Sequence, residues 1–170
     1  MTEEEKRQHR VCFTGHRPEK LTRFEWLIKR DLEKEIRQAI ADGLTVFITG
    51  MARGVDIWAA EIVIKLRDAG QPLKLMCACP YDGFEKRWEQ DWKDRYNTIL
   101  DKSDHVVYVC QHYSKACFQI RNEWMVNHSA RVIAVFNGEK SGTKNTIDYA
   151  NRVGVPIKQI KGERKYHKIA

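Results

Sequence analysis

This sequence predicts a single Rossmann-like α/β domain: a doubly wound, mostly parallel sheet of about six strands with helices on both faces. Three observations predict it. Apolar runs rich in β-branched residues alternate strictly along the 170 residues with stretches of helical period. The runs are apolar throughout, not alternating with polar residues, as in strands covered on both faces. Finally, several runs close on glycine or small polar residues just before a helical pattern starts.

In chain order, the first strand is 11–14 (Val11-Cys12-Phe13, ending at Thr14), followed by the turn Gly15-His16-Arg17-Pro18. A helix over 21–41 follows from Leu21, Phe24, Ile28, Leu32, Ile36 and Ile40, spaced by three or four, and Asp42-Gly43 stops it. The second strand, 44–49, runs into Thr49-Gly50-Met51-Ala52-Arg53-Gly54-Val55-Asp56 and a helix over 55–69, which ends at Ala69-Gly70-Gln71-Pro72. The third strand, 73–79, leads through Pro80-Tyr81-Asp82 to a helix over 84–102. There Phe84, Trp88, Trp92 and Tyr96 step by four as a packing face, with Tyr81 just ahead of them. Strand 104–110, helix 116–129, strand 131–136, helix 143–153 and strand 155–160 complete the series, with Gly154-Val155-Pro156 marking the last boundary. Parallel strands joined by helices require right-handed crossovers, and ligands in such sheets bind beyond the carboxyl ends of the strands.

Composition bounds the function. The length suits one domain, 1–170, and residues 161–170 form a basic tail. Four of the seven net positive charges fall within Ile157–Ala170, so the basicity is weak support for a nucleic-acid groove. No apolar run is long enough to span a membrane, and Met1–Arg10 lacks the apolar core of a secretory signal, so the expected location is the cytoplasm. Cys12, Cys77, Cys79 and Cys110 fall in strand runs as small hydrophobes, and Cys117, near a helix start, is the one expected at the surface. Cys77-Ala-Cys79 does not have Cys-x-x-Cys spacing, so neither a disulfide framework nor a metal site is expected, and no cofactor is assigned.

The candidate site lies on the carboxyl edge. Strand, glycine turn and helix start present backbone N–H groups and a positive dipole end to an anion. The chain does this around Thr14, Gly15, His16 and Arg17, and again around Gly50, Ala52, Arg53 and Gly54. A third helix start, at Gly142 and Thr143 with Thr146 one turn on, adds hydroxyl donors. The same residues also serve ordinary tight turns and helix caps. Asp56 either complements the dipole of its helix or accepts a ribose hydroxyl, and Arg121 with Asn122 lies on the helix that starts from the same rim. His16 is a phosphate donor, an acid or a spectator. The third helix start is no Walker A loop, and the dinucleotide fingerprint Gly-x-Gly-x-x-Gly is absent. No catalytic constellation is identifiable.

These motifs resemble the SLOG superfamily and, within it, the YpsA-like family, from about Arg10 to Ile160. Thr14-Gly15-His16-Arg17-Pro18 is the most specific part. Gly50–Asp56 is similar to the motif of the Rossmann domain of DNA-processing protein A, and Gln119–Met125 with Ser141-Gly142-Thr143 completes the pattern. The resemblance implies a pocket for a nucleotide or nucleotide-derived ligand, ADP-ribose- or NAD-like, and an association with bacterial cell division. A relative, the Lonely Guy phosphoribohydrolases, implies an alternative, cleavage of a nucleoside monophosphate at its N-glycosidic bond. Those enzymes use Arg-Lys-x-x-Met and Gly-Gly-x-Gly-Thr-x-x-Glu. Arg121 and Met125 match the first, with Asn122 for Lys, while Gly142 and Thr143 match the second, with Thr146 where Glu should stand. Threonine cannot stabilise an oxocarbenium ion by charge, and Asp148 or Glu123 could substitute only with suitable geometry. Single-stranded DNA binding, a property of the other relative, is the third reading. Self-association is left open.

Overall fold

A computed structural model describes residues 1–164 of the chain. Six strands form one parallel sheet: β1 (Arg10–Thr14), β2 (Val46–Thr49), β3 (Lys74–Cys79), β4 (His105–Tyr108), β5 (Arg131–Phe136) and β6 (Ile157–Lys161). Their order is β4-β3-β2-β1-β5-β6. Each of β1 to β3 hands the chain to a neighbour on one side. The link from β4 then carries it back to the far side of β1, so the direction of winding reverses between β1 and β5. Val11 of β1 faces Phe47 on one side and Arg131 on the other.

The helices that make these links are α2 (Glu25–Ala41), α3 (Val55–Asp68), α4 (Gln90–Lys102), α5 (Cys117–Asn127) and α6 (Gly142–Val153). Side chains of successive strand residues point to opposite faces. Val11, Phe13, Phe47, Leu75, Cys77 and Cys79 therefore pack with α2, α3 and α4 in one core. Cys12, Ile48, Ala78, Val132 and Ala134 pack with α5 and α6 in the other. The apolar stripe of α2 is Ile28, Leu32, Ile36 and Ala39, all buried.

Several boundaries differ from the sequence expectations. Helix α2 begins at Glu25 instead of 21, because Pro18–Lys20 forms a 3-10 turn and Phe24 sits exposed at the cap. Helix α4 begins at Gln90 instead of 84. Gly83 adopts φ +87°, and Phe84 and Trp88 fold back in turns so that their rings meet Tyr96 edge-on at 5.5 and 5.6 Å. The four-residue aromatic spacing is thus packing across turns as well as along a helix. A short helix, α1 (Glu3–Arg7), precedes β1 with a capping box between Thr2 and Glu5. It buries nothing, so no apolar period marks it.

Cys117 is buried, contrary to the expected surface position, and Cys110 lies two residues beyond β4. All five thiols are free, and burial pushes those of Cys12 and Cys77 up to about 12. No helix among the described residues is long and apolar enough to cross a membrane. Of the segment expected as a basic tail, Gly162 is bonded to the backbone of Phe136, Thr22 and Arg23, and residues 165–170 lie outside the described residues.

Candidate functional site

The carboxyl ends of β1, β2 and β5 open into a cavity of about 660 Å³ at the point where the winding reverses. This is where an open α/β sheet leaves a crevice, because adjacent links depart to opposite faces.

Glycines close two of its loops against each other. A Cβ on Gly15 would lie 2.5 Å from Val55 Cβ, and one on Gly54 would lie 2.6 Å from the His16 carbonyl oxygen. Gly54 also has φ +90°, which an L side chain rarely adopts. The Val55 N–H donates to His16 O at 3.5 Å across this joint. A Cβ on Gly50 would meet Asp56 Oδ2 at 2.8 Å and Arg121 Cζ at 3.0 Å. Gly50 and Gly54 are therefore packing glycines behind the cavity wall, whereas Gly15 lines it. Met51, fully buried at φ +64°, is the one non-glycine residue with positive φ among those described. Thr49 holds this turn, its hydroxyl accepting from Met51 N–H (3.2 Å) and donating to Asp56 O (2.9 Å). Nothing in the residue types announces that conformation.

Asp56 and Arg121, both cavity-lining, are about 5% and 4% exposed. Asp56 Oδ2 accepts from the Ala52 N–H at 3.2 Å, while Oδ1 is buried with no partner. Burial pushes the Asp56 carboxyl up to about 6, against the opposing pull of the Arg121 guanidinium and the Ala52 N–H. Arg121 donates through Nη1 to the Gly50 and Ala78 carbonyls and through Nε to Asn122 Oδ1 (2.8 Å). Burial lowers its pKa and Asp56 counters that. Asn122 thereby positions the arginine as well as lining the cavity.

A pH dependence follows. A carboxyl raised from 3.8 to about 6 binds its proton more tightly folded than unfolded. Its ionisation therefore costs stability as pH rises through that window, by about 3 kcal/mol once complete. Urea denaturation of wild type and Asp56→Asn at steps from pH 4 to 7 should show wild type losing stability relative to the variant as pH rises. Parallel profiles would contradict the assignment.

His16 is buried and stacked on Phe136 at 5.9 Å, and its Nε2 accepts from the Asn137 N–H at 3.1 Å. Burial lowers its pKa, so the neutral ring carries its proton on Nδ1. Asn137 also donates through Nδ2 to Lys20 O at 3.0 Å, tying the loop after β5 to the loop after β1. At the start of α6, Ser141 Oγ accepts from the Lys144 N–H (3.1 Å), and Gly142 and Thr143 line the cavity, the space beside Gly142 being open. Thr146 is buried outside the cavity wall, its hydroxyl donating to Gly142 O at 2.9 Å. Neither carboxylate considered as its substitute reaches the cavity. Asp148 pairs with Lys144 at 2.9 Å, and Glu123 accepts from Gln119 at 3.1 Å.

Of the expected site residues, the structure brings Thr14, Gly15, His16, Arg17, Ala52, Arg53, Asp56, Arg121, Asn122, Gly142 and Thr143 onto one cavity wall. Sequence reasoning did not place Lys20, Asn137, Glu139 and Lys140 individually, nor the aromatic side formed by Phe84, Trp88 and Phe118. The aromatic spacing signalled the first two rings but was assigned to a helix face. Arg53 pairs with Glu19 at 2.8 Å, and Arg17 lies 3.8 Å from the same carboxylate.

A model of the family YpsA, described as the YspA SLOG family, matches residues 11–164. The chain belongs to this family. A UPF0398 protein of Bacillus cereus (strain G9842) is 29% identical over 153 residues, covering 85% of this chain and 83% of the relative. A UPF0398 protein of Bacillus thuringiensis (strain Al Hakam) matches to the same extent. Among solved structures, DNA processing protein A from Streptococcus pneumoniae shares the fold with a TM-score of 0.65 at 20% identity, over 89% of this chain and 50% of that one. The Helicobacter pylori protein, described by its single-stranded DNA binding mode, gives 0.63 at 19% identity, over 91% and 66%. This chain thus spans half of one DNA processing protein and about two-thirds of the other.

Proposed function

We propose that this YpsA-family protein binds a phosphate-bearing nucleotide or nucleotide-derived ligand, of the ADP-ribose or NAD kind, in the cavity between β1, β2 and β5, as a cytoplasmic binding or sensing protein. The observation that carries the reading is the convergence of Arg17, Arg53, the start of α6 and the buried Asp56 on the wall of one cavity. Asp56, at the start of α3, offers a carboxylate as acceptor for a ribose hydroxyl. The rest of the wall fits the other parts of such a ligand. Phe84, Trp88 and Phe118 offer apolar ring surface for a base. Arg17, Arg53 and the start of α6 at Gly142 and Thr143 offer charge and backbone donors for phosphate. The volume lies within the range of small-molecule sites.

Thermal-shift measurements with AMP, ADP, NAD and ADP-ribose test the reading, since a ligand that binds only the folded state raises its stability. At least one should raise Tm, and Arg53→Ala should remove most of that shift. A flat response from wild type to all four would defeat the assignment.

The cleavage alternative carries less. Thr146 is turned into its own helix, and Asp148 and Glu123 are engaged elsewhere, so none of these three supplies the carboxylate of the hydrolase motif. Single-stranded DNA remains a second reading on the likeness to the Helicobacter pylori protein. It calls for binding that falls steeply with salt and tolerates any sequence.

A further inference from the structure

We infer that Glu19 is a built-in occupant of the anion site, a carboxylate that holds the pocket arginines until the ligand's phosphates replace it. It thereby favours ligands that bring phosphate charge over neutral ones. The inference rests on the proposed reading only in placing phosphate at Arg17 and Arg53.

The geometry is that of a guanidinium already gripping an anion. Arg53 Nη2 lies 2.8 Å from Glu19 Oε1 and Nη1 lies 3.5 Å from Oε2, a two-point contact of the kind arginine makes with carboxylate or phosphate alike. Arg17 Nε lies 3.8 Å from the same Oε1, so both cations from separate glycine loops converge on one carboxylate. Both arginines line the cavity. Hydrogen bonding within its own backbone and to Arg53, with the charge of Arg17, holds the Glu19 carboxyl below its ordinary range, keeping it ionised at neutral pH.

The position of Glu19 suits a displaceable group. It sits in the middle of the Pro18–Lys20 turn, about half exposed, and no described core contact depends on its side chain. The neighbouring Lys20 lines the cavity. An incoming phosphate competes for the same fork of Arg53, and Glu19 repels it while it remains in place. A neutral nucleoside gains nothing from displacing the carboxylate. A monophosphate replaces one anion with another. A diphosphate brings enough charge and oxygens to engage Arg53 and Arg17 together.

Calorimetric titration of wild type, Glu19→Gln and Glu19→Asp with inorganic pyrophosphate, orthophosphate and ADP-ribose tests this. Loss of one repelling charge beside the site should tighten pyrophosphate binding about tenfold in Glu19→Gln. Orthophosphate binding should tighten in the same variant, by no more than pyrophosphate binding does. Glu19→Asp, which keeps the charge on a shorter arm, should fall between. Equal or weaker pyrophosphate binding by Glu19→Gln would overturn the inference and make Glu19 a support for Arg53. So would the absence of pyrophosphate binding by both proteins. If Glu19→Gln binds pyrophosphate more tightly while ADP-ribose binds no better than pyrophosphate to either protein, the role of Glu19 stands and the nucleotide reading falls. Unchanged melting of the variants in the absence of ligand shows that the fold is intact.

Discussion

Replacing Arg121 with Met should lower stability by about 3–5 kcal/mol, the cost of breaking a buried charge arrangement by removing one partner. For a domain of this size each kcal/mol moves Tm by roughly 2–4 °C, so the variant should melt on the order of 10 °C lower. The cause is specific. The Gly50 and Ala78 carbonyls lose their donor, Asn122 loses its partner, and Asp56 is left buried without the cation that opposes its desolvation. Without that cation the Asp56 pKa rises further above its ordinary value. The loss should therefore be smaller at pH 5, where Asp56 carries its proton, than at pH 7. Arg121→Lys should keep the charge but not the three-way hydrogen bonding, and should fall between the two. Thermal unfolding of the three proteins at both pH values checks this. A Met variant within two or three degrees of wild type at pH 7 would mean that Arg121 does not hold the floor of the site.

Gly15→Ala is expected to cost less stability but more binding, through sterics alone. Its new methyl would lie 2.5–2.6 Å from Val55 Cβ, Cγ1 and Cγ2, at the first residue of α3. Those atoms belong to a short branched side chain anchored at a helix start, so relief requires moving the helix or the β1 loop. Overpacking of this kind costs about 1–3 kcal/mol. The larger effect should be on ligand binding, because the shift misaligns the loop that carries His16 and Arg17 against the loop that carries Ala52 and Arg53. Trimming the obstacle tests the cause. The pair Gly15→Ala with Val55→Gly should be more stable than the two single losses add up to, an interaction expected of residues in contact. Strict additivity in a denaturation double-mutant cycle would place the damage elsewhere.

Much of the fold was legible because it depends on patterns that tertiary packing cannot easily override. Uniformly apolar runs such as Val132-Ile133-Ala134-Val135 require cover on both faces, and the Ile28, Leu32, Ile36 stripe requires a helix. Boundaries failed where two structures share one spacing. Phe84 and Trp88 keep their four-residue step to Tyr96 whether the chain spirals or turns, and only the positive φ of Gly83 distinguishes them. The site was legible as a set of loops, since strand ends on one edge of a parallel sheet must share a rim. Individual roles were not. Gly50 and Gly54 looked like phosphate-cradling glycines, but their missing side chains make room for Asp56, Arg121 and the His16 carbonyl. Whether Thr146 faces a ligand or its own helix depends on a rotamer, and Glu19 carries no motif. Contacts between residues far apart in the chain decide such roles.

The central claim is that the phosphates and ribose of a nucleotide meet the loops after β1, β2 and β5. Backbone amide spectra recorded while ADP-ribose is titrated into isotope-labelled protein test it most directly. The largest shifts should fall on Gly15–Arg17, Ala52–Asp56 and Gly142–Thr143, saturate together, and disappear in Arg53→Ala. Shifts confined to the exposed faces of α2 and α4, or no saturable shift at all, would contradict the account.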